Sequence, residues 1–303
     1  MLKFILKGVM RIVSWLPMRG AHGLGYVVGF GFGHVVRHHR KEAFQGLKRS
    51  IPHLSPGGYR RIINRMYFLQ GINLLELVWF FIRGLDRLAD RVEIEGRDHF
   101  KAALAQGRGV IGLTGHIGNF ELMPVAMTLL GIKLTIIAKK IKSQMVDEVL
   151  EEMRAVDGVT YLSTRNAYRD CLKALRRNEM VGMIIDQNMT RSEGIFVDFF
   201  GKPACTSPGL AYMAAQSKAP VLPMFIYRQP NGRHTLKILP AMEPPLDRTP
   251  ESIHAATQRY TQILEAAIRE TPEQWIWMHR RWKTQPAADR SVLVRNRRGS
   301  GKR

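Results

Sequence analysis

VIGLTGHIGNFELMPVAM, residues 110–127, begins as one kind of structure and ends as another. Val110 to Leu113 form an apolar run of the length of a buried strand. The run breaks at Gly115, presents His116, and passes Gly118 and Asn119 into a helical stretch carrying Glu121. A turn from strand to helix points backbone N–H groups outward, where an anion can be held. His116 is the natural base at such a turn, and Glu121 is the carboxylate available to hold its imidazole in one tautomer. On one regular helix, five positions would set these side chains well over a quarter circle apart. His116 therefore has to precede the helix if the two are to meet. Alone, the spacing is ambiguous, because a histidine before a helix is usually a cap and a first-turn glutamate complements the helix dipole.

Outward from this segment, strands and helices alternate from residue 90 onward. RVEIEG, GVIGLTG and KLTIIAK read as strands, as do a short run near Val159 to Leu162 and then VGMIIDQ, VLPMFIYR and HTLKILP. DHFKAALAQG, ELMPVAMTLLG, Gln144 to Val156, Ala167 to Asn178 and Ser252 to Glu270 read as helices. The expected class is α/β, a mostly parallel central sheet flanked by helices, with an N-terminal helical membrane-associated region. Sites in such folds lie at the carboxyl ends of strands, where both His116 and Asp186 fall. The expected division is a helical region over 1–90, an α/β domain over 91–285 and a basic, disordered tail over 286–303.

The chain has 303 residues, 45% of them hydrophobic, enough to bury one large core with a smaller appendage. Its net charge of +21 calls for an anionic partner: nucleic acid, an acidic membrane surface or an acidic protein. Two cysteines, Cys171 and Cys205, form no disulfide framework and fit a reducing compartment. The tail carries six Lys or Arg against one Asp and has little apolar content. No Walker-type loop or paired-cysteine motif is present, and Gly29 to Gly33 lacks the strand and downstream acid of a dinucleotide site.

The N-terminus favours the membrane among these partners. In MLKFILKGVMRIVSWLPMRG, Leu2, Ile5, Leu6, Val9, Val13 and Leu16 fall at helical spacing, while Lys3, Lys7 and Arg11 recur every four residues. With Trp15 near its end, this is the pattern of a helix lying in a membrane interface. Charges interrupt the apolar core and no small-residue cleavage site follows, which argues against a signal peptide. Ala21 to Val36 contains no acidic or basic residue except histidine, and Gly25, Gly29 and Gly33 offer one bare face for close helix packing. Sixteen residues fall short of the roughly 20 needed to span a bilayer. Residues 1–40 are thus expected to be membrane-seated, interfacial or as a short span, with a buried helical hairpin as the competing reading. Tyr67 to Ile82 carries Gln70, Asn73 and Glu76 at intervals of three and is expected to be amphipathic. Its Trp79, Phe80 and Phe81 fit an acyl groove, a membrane face or the core.

Three further blocks accompany the His116 turn. DQNMTRSEGIFVDFFGKPACTSPG starts with Asp186 and Gln187 at a strand end and runs through Phe199, Phe200 and Gly201 to Thr206. VLPMFIYR contains Pro223, and the C-terminal block is PEQWIWMHRRWK, Pro272 to Lys283. In this order and with HIGNFE, the blocks closely resemble the bacterial lipid A late acyltransferase family, within the glycerolipid acyltransferase superfamily. The resemblance covers roughly residues 1–285, and its motifs are specific in combination. Its histidine–four residues–acid signature falls on His116 and Glu121.

The resemblance implies transfer of an acyl chain from acyl carrier protein or coenzyme A to a hydroxyl of a lipid A precursor, at the cytoplasmic face of the inner membrane. A different lipid acceptor (a glycerophospholipid, ornithine lipid or glycolipid) is the alternative with the same chemistry. No cofactor, metal or nucleic acid is expected. His116 takes the hydroxyl proton as general base, Glu121 steadies the imidazolium, and no covalent acyl-enzyme is needed because no Ser or Cys adjoins His116. Backbone N–H groups near Gly118 and Asn119 are oxyanion candidates. Where the family often has Tyr-Arg-Pro, this chain has Ala138–Lys139–Lys140, so the charge there is lysine without a bidentate fork. Arg154 matches a basic family position and is favoured to face substrate phosphate or the oxyanion, a solvated helix face being its alternative. Lys139, Lys140, Asp186, Gln187 and Thr206 are also expected among the substrate-binding or oxyanion residues, Asp186 shaping the pocket by bonding backbone or arginine side chains. The aromatic and basic set from Trp275 to Lys283 is expected at lipid headgroups or an acidic carrier. Two rivals differ in kind: a basic coat protein without catalysis, and a metallohydrolase, for which the His/Glu pair lacks companion ligands.

Overall fold

The computed structural model describes residues 2–138, 143–163 and 167–287. Four helices come first: α1 (Leu2–Trp15), α2 (Met18–Phe30), α3 (Arg40–Ser50) and α4 (Pro56–Arg83), with a π-helical turn at Gly31–Val35 between α2 and α3. Ser55 caps α4 through the Gly58 N–H at 3.1 Å, and Pro56 opens its first turn.

The strands are β1 (Val92–Glu95), β2 (Val110–Thr114), β3 (Leu134–Ile137), β4 (Val159–Leu162), β5 (Met180–Ile184), β6 (Ile195–Phe199), β7 (Lys202–Thr206), β8 (Val221–Arg228) and β9 (His234–Ile238). Between them lie α5 (Arg97–Leu104), α6 (Met123–Thr128), α7 (Gln144–Arg154), α8 (Ala167–Arg176) and α9 (Gly209–Ser217), and α10 (Pro250–Glu270) follows β9. Seven strands form one sheet in the order β1-β9-β8-β2-β5-β3-β4, parallel throughout except at the β8–β9 pair. The class is the expected one. Every residue of β2 is buried, as befits a central strand covered on both faces.

The remaining two strands, β6 and β7, form an antiparallel hairpin that the sequence blocks did not reveal. Phe200 and Gly201 at its turn both have positive φ, 55° and 69°, the backbone of the tight turns that match strand twist.

At the N-terminus, α2 packs on α4 backbone to backbone. A Cβ on Gly29 would stand 2.3 Å from the Tyr67 carbonyl oxygen, and one on Gly71 would stand 2.1 Å from that of Gly25. The glycines at 25 and 29 thus do provide a bare packing face. Met10 and Val13 of α1 are buried in the protein's own core, and Trp79 Nε1 donates to the Leu16 carbonyl at 2.9 Å. Part of the apolar stripe expected to meet lipid therefore faces inward, while Trp15 is 71% exposed. Nine of the fifteen exposed large hydrophobics among the described residues lie between Ile12 and Val36, among them Val27, Phe30, Phe32 and Val35. No helix of the described residues is long and apolar enough to cross a membrane. The polar residues of α4 depart from expectation as well: Asn73 and Glu76 are buried, so they serve an interior contact and not a wet helix face.

Candidate active site

β2 and β5 are parallel neighbours whose register pairs Thr114 with Ile184. Two residues past each end stand His116 and Asp186, side by side. Asp186 is fully buried and accepts three hydrogen bonds: His116 Nδ1–H on Oδ1 at 2.7 Å, and both the His116 backbone N–H at 2.8 Å and Trp275 Nε1–H at 2.7 Å on Oδ2. Burial alone would favour a neutral carboxyl, yet the adjacent imidazole and the converging donors hold Asp186 ionised far below the usual carboxylate range. The same contest at His116 ends in a raised pKa. Burial pulls it down from 6.5, but the charges of Asp186 and Glu121 outweigh that.

This corrects the expected pairing. The group that fixes the imidazole is Asp186, and Glu121 acts on His116 only through its charge. Glu121 lies in a 3₁₀ turn (Phe120–Leu122) and accepts a two-pronged contact from Arg154, with Nε at 3.2 Å and Nη2 at 2.7 Å. Arg154, stacked over Tyr161, is thereby held in an ion pair with Glu121. The physical reason is strand register, which sets Asp186 next to His116 before any helix geometry can bring Glu121 round.

With Nδ1 bonded to Asp186, Nε2 is the nitrogen left for chemistry. Its near neighbour is the Gln187 side-chain amide at 3.5 Å. His116 forms part of the wall of a cavity of about 670 Å³, together with Phe120, His279 and Arg280, and with His38 and His39 from the turn before α3. The His279 ring lies 4.9 Å from that of His116, and burial together with the like charge of His116 keeps its pKa below 6.5.

The other expected residues take different places. Gly118 has φ of 60° and would set a Cβ 2.0 Å from the Ile226 carbonyl oxygen, so glycine is required there. Its N–H already donates to the Gln274 carbonyl at 3.0 Å, which removes it as an oxyanion donor. The Asn119 side chain donates inward, to Glu76 at 2.9 Å. Thr206 is fully buried; its hydroxyl donates to the Ala204 carbonyl at 3.0 Å and accepts from Arg281, so it supports the wall from behind. Arg281 is itself fully buried, its pKa lowered to about 10 by desolvation. Lys139, Lys140 and the tail from residue 288 lie outside the described residues.

The structural work of the C-terminal block goes beyond the surface role expected of it. Ile117 bridges Trp275, and Ile276 N–H donates to the His116 carbonyl at 3.3 Å, so PEQWIWMH is laced directly onto the His116 turn. Trp275 and Trp277 are buried and unavailable to headgroups or a carrier. The signal was present in the indole N–H groups, which need partners once buried.

The profile of the bacterial lipid A biosynthesis acyltransferases matches residues 1–284. A lipid A biosynthesis acyltransferase of Haemophilus influenzae is 26% identical over 268 residues, covering 88% of this chain and 83% of that one. The lipid A biosynthesis lauroyltransferase of Escherichia coli is 25% identical over 285 residues, 90% of each chain. A phosphatidylinositol mannoside acyltransferase of Mycobacterium tuberculosis is 28% identical over 219 residues, 71% of this chain and 67% of that one. A match over nearly the whole length, across a fold whose central strands end in a carboxylate-held histidine facing a cavity, makes the chain a member of the bacterial lipid A biosynthesis acyltransferase family.

Proposed function

We propose that this acyltransferase moves a fatty acyl chain from an acyl-thioester to a hydroxyl of a lipid A precursor, with His116 as general base and Asp186 as its orienting carboxylate. The observation that carries the mechanism is the 2.7 Å contact between His116 Nδ1 and Asp186. It assigns the proton to Nδ1 and leaves the Nε2 lone pair for the acceptor hydroxyl. The hydroxyl oxygen attacks the thioester carbonyl as Nε2 takes its proton. Asp186 stabilises the imidazolium, and the Gln187 amide is the donor closest to the developing oxyanion. Collapse of the tetrahedral intermediate breaks the C–S bond, and the imidazolium returns the proton to the departing thiolate. No residue acquires an acyl group.

The enzyme works at a membrane surface. The exposed apolar residues between Ile12 and Val36 enter the interface, and the net charge of +21 attracts anionic lipid. The same charge favours an acidic acyl carrier protein as donor over coenzyme A. The similarity to a phosphatidylinositol mannoside acyltransferase keeps a second glycolipid acceptor in view. Mass spectrometry of products from purified enzyme, offered lipid A precursor, a phosphatidylinositol mannoside and a phospholipid together with defined acyl-thioesters, tests the reading. One added acyl ester on the precursor supports it. An untouched precursor beside an acylated mannoside or phospholipid refutes the acceptor.

A further inference from the structure

Glu76 lies on α4, away from the cavity wall, and is 1% exposed. Four segments of the chain converge on its carboxylate. His22 of α2 reaches Oε1 at 3.2 Å and His234 of β9 reaches Oε2 at 2.9 Å. Arg228, closing β8, contacts both oxygens, with Nη1 at 3.2 Å from Oε1. The fourth contact is Asn119 of the catalytic turn, whose Nδ2 lies 2.9 Å from Oε2. Burial opposes ionisation, but His22, His234 and Arg228 hold the carboxyl well below its usual range.

Sequestering a carboxylate and a guanidinium seldom adds net stability, since the loss of hydration roughly cancels their attraction. A packed apolar side chain would hold α4 in place as well. What an apolar side chain cannot do is grip the turn. One helical turn before Glu76, Asn73 donates to the Gly118 carbonyl at 2.8 Å, and its own Oδ1 accepts from Arg228 at 2.9 Å. Asn119 Nδ2 also approaches the Asn73 carbonyl at 3.3 Å. From the opposite side, Gln274 accepts the Gly118 N–H at 3.0 Å and clasps the Arg228 backbone through both side-chain atoms, at 2.8 and 2.9 Å. Both backbone polar groups of Gly118 and the Asn119 side chain are thus fixed from outside the turn, two and three residues after His116.

We infer that Glu76, acting through Asn119 and with Asn73, is a positioning residue that holds the 117–119 turn so that His116 meets the acceptor hydroxyl in a reactive pose. The inference rests on His116 being the base. A misplacement of about 1 Å at such a group can cost on the order of 10²-fold in rate.

The test uses the full-length enzyme in detergent micelles with acyl carrier protein thioester and lipid A precursor. Glu76→Gln combined with Arg228→Gln removes the charge on both sides, so no buried ion is left unpaired. Asn119→Ala releases the turn and removes one hydrogen bond from Glu76, while its contacts with Arg228, His22 and His234 remain. Both variants are expected to keep a melting temperature near that of the parent and a KM within about twofold, while kcat falls by about 10- to 100-fold. Should the double variant fail to fold, Asn119→Ala decides alone. A folded variant of either kind with parental kcat overturns the inference, as does activity that falls only in step with the folded fraction. His116→Ala is run alongside. If it too retains activity, the reading of His116 as base has failed; if it is inactive while Asn119→Ala is unimpaired, only the positioning role has failed.

Discussion

Asp186→Asn changes a single atom and reverses the logic of the site. Two donors, the His116 backbone N–H and Trp275 Nε1–H, converge on Oδ2, and one, His116 Nδ1–H, meets Oδ1. An asparagine that keeps its carbonyl oxygen at the Oδ2 position satisfies two donors and turns its NH₂ toward Nδ1. The opposite orientation satisfies one donor and sets an NH₂ against two. The first orientation wins by about one hydrogen bond, of order 1 kcal/mol. It forces the imidazole into the tautomer with its proton on Nε2, so the nitrogen facing the cavity becomes a donor and cannot accept the hydroxyl proton. Loss of a carboxylate in this position of a serine-protease triad lowers kcat by about 10⁴, and we expect a drop of about 10³- to 10⁴-fold here, or about 4 to 5.5 kcal/mol. The assay is initial-rate acyl transfer to lipid A precursor, with near-ultraviolet circular dichroism to verify packing. Asp186→Asn activity within about threefold of the parent would rule out Asp186 as the orienting carboxylate, as would a smaller loss than that of Glu121→Gln.

Three more outcomes follow from the same geometry. Since Asp186 and Glu121 raise the His116 pKa above 6.5 despite burial, and only neutral imidazole is a base, kcat/KM declines as pH falls through a limb above 6.5; in Glu121→Gln the limb moves to lower pH, and an unshifted profile contradicts the assignment. Glu121→Gln also strands Arg154, lowering stability by about 1–2 kcal/mol in denaturant titration, and adding Arg154→Met recovers part of that; a double variant less stable than the single one argues against the pair. Gly71→Ala drives a methyl to 2.1 Å from the Gly25 carbonyl oxygen, so α2 and α4 separate at a cost of about 3 kcal/mol, and an unchanged melting temperature excludes the observed packing.

The features legible in the sequence are those set by periodicity. The βα alternation places His116 and Asp186 at strand ends, and Gly25 and Gly29 mark the α2–α4 contact. Whether His116 meets Glu121 or Asp186 was not readable, because it depends on the register between β2 and β5, strands whose residues are 70 apart in the chain. Glu121, five residues away, was the nearer partner in sequence and the wrong one in space. Asn73 and Glu76 left a trace as polar residues in an apolar helix, but periodicity alone does not tell a wet stripe from a buried one. Thr206 and Arg281 illustrate the same limit: a polar residue in a motif block is as easily a support behind the wall as a contact at its surface.

In the proposed reaction the Nε2 lone pair of His116 removes the acceptor proton. Its most direct test is the single-turnover rate of acyl transfer from acyl carrier protein thioester to lipid A precursor, comparing the parent enzyme with folded His116→Ala. A loss of about 10²- to 10⁴-fold is expected in the variant, with no acyl group on either form of the enzyme at any time. A variant that transfers acyl chains at the parental rate, or an acylated enzyme trapped in the parent, would contradict it.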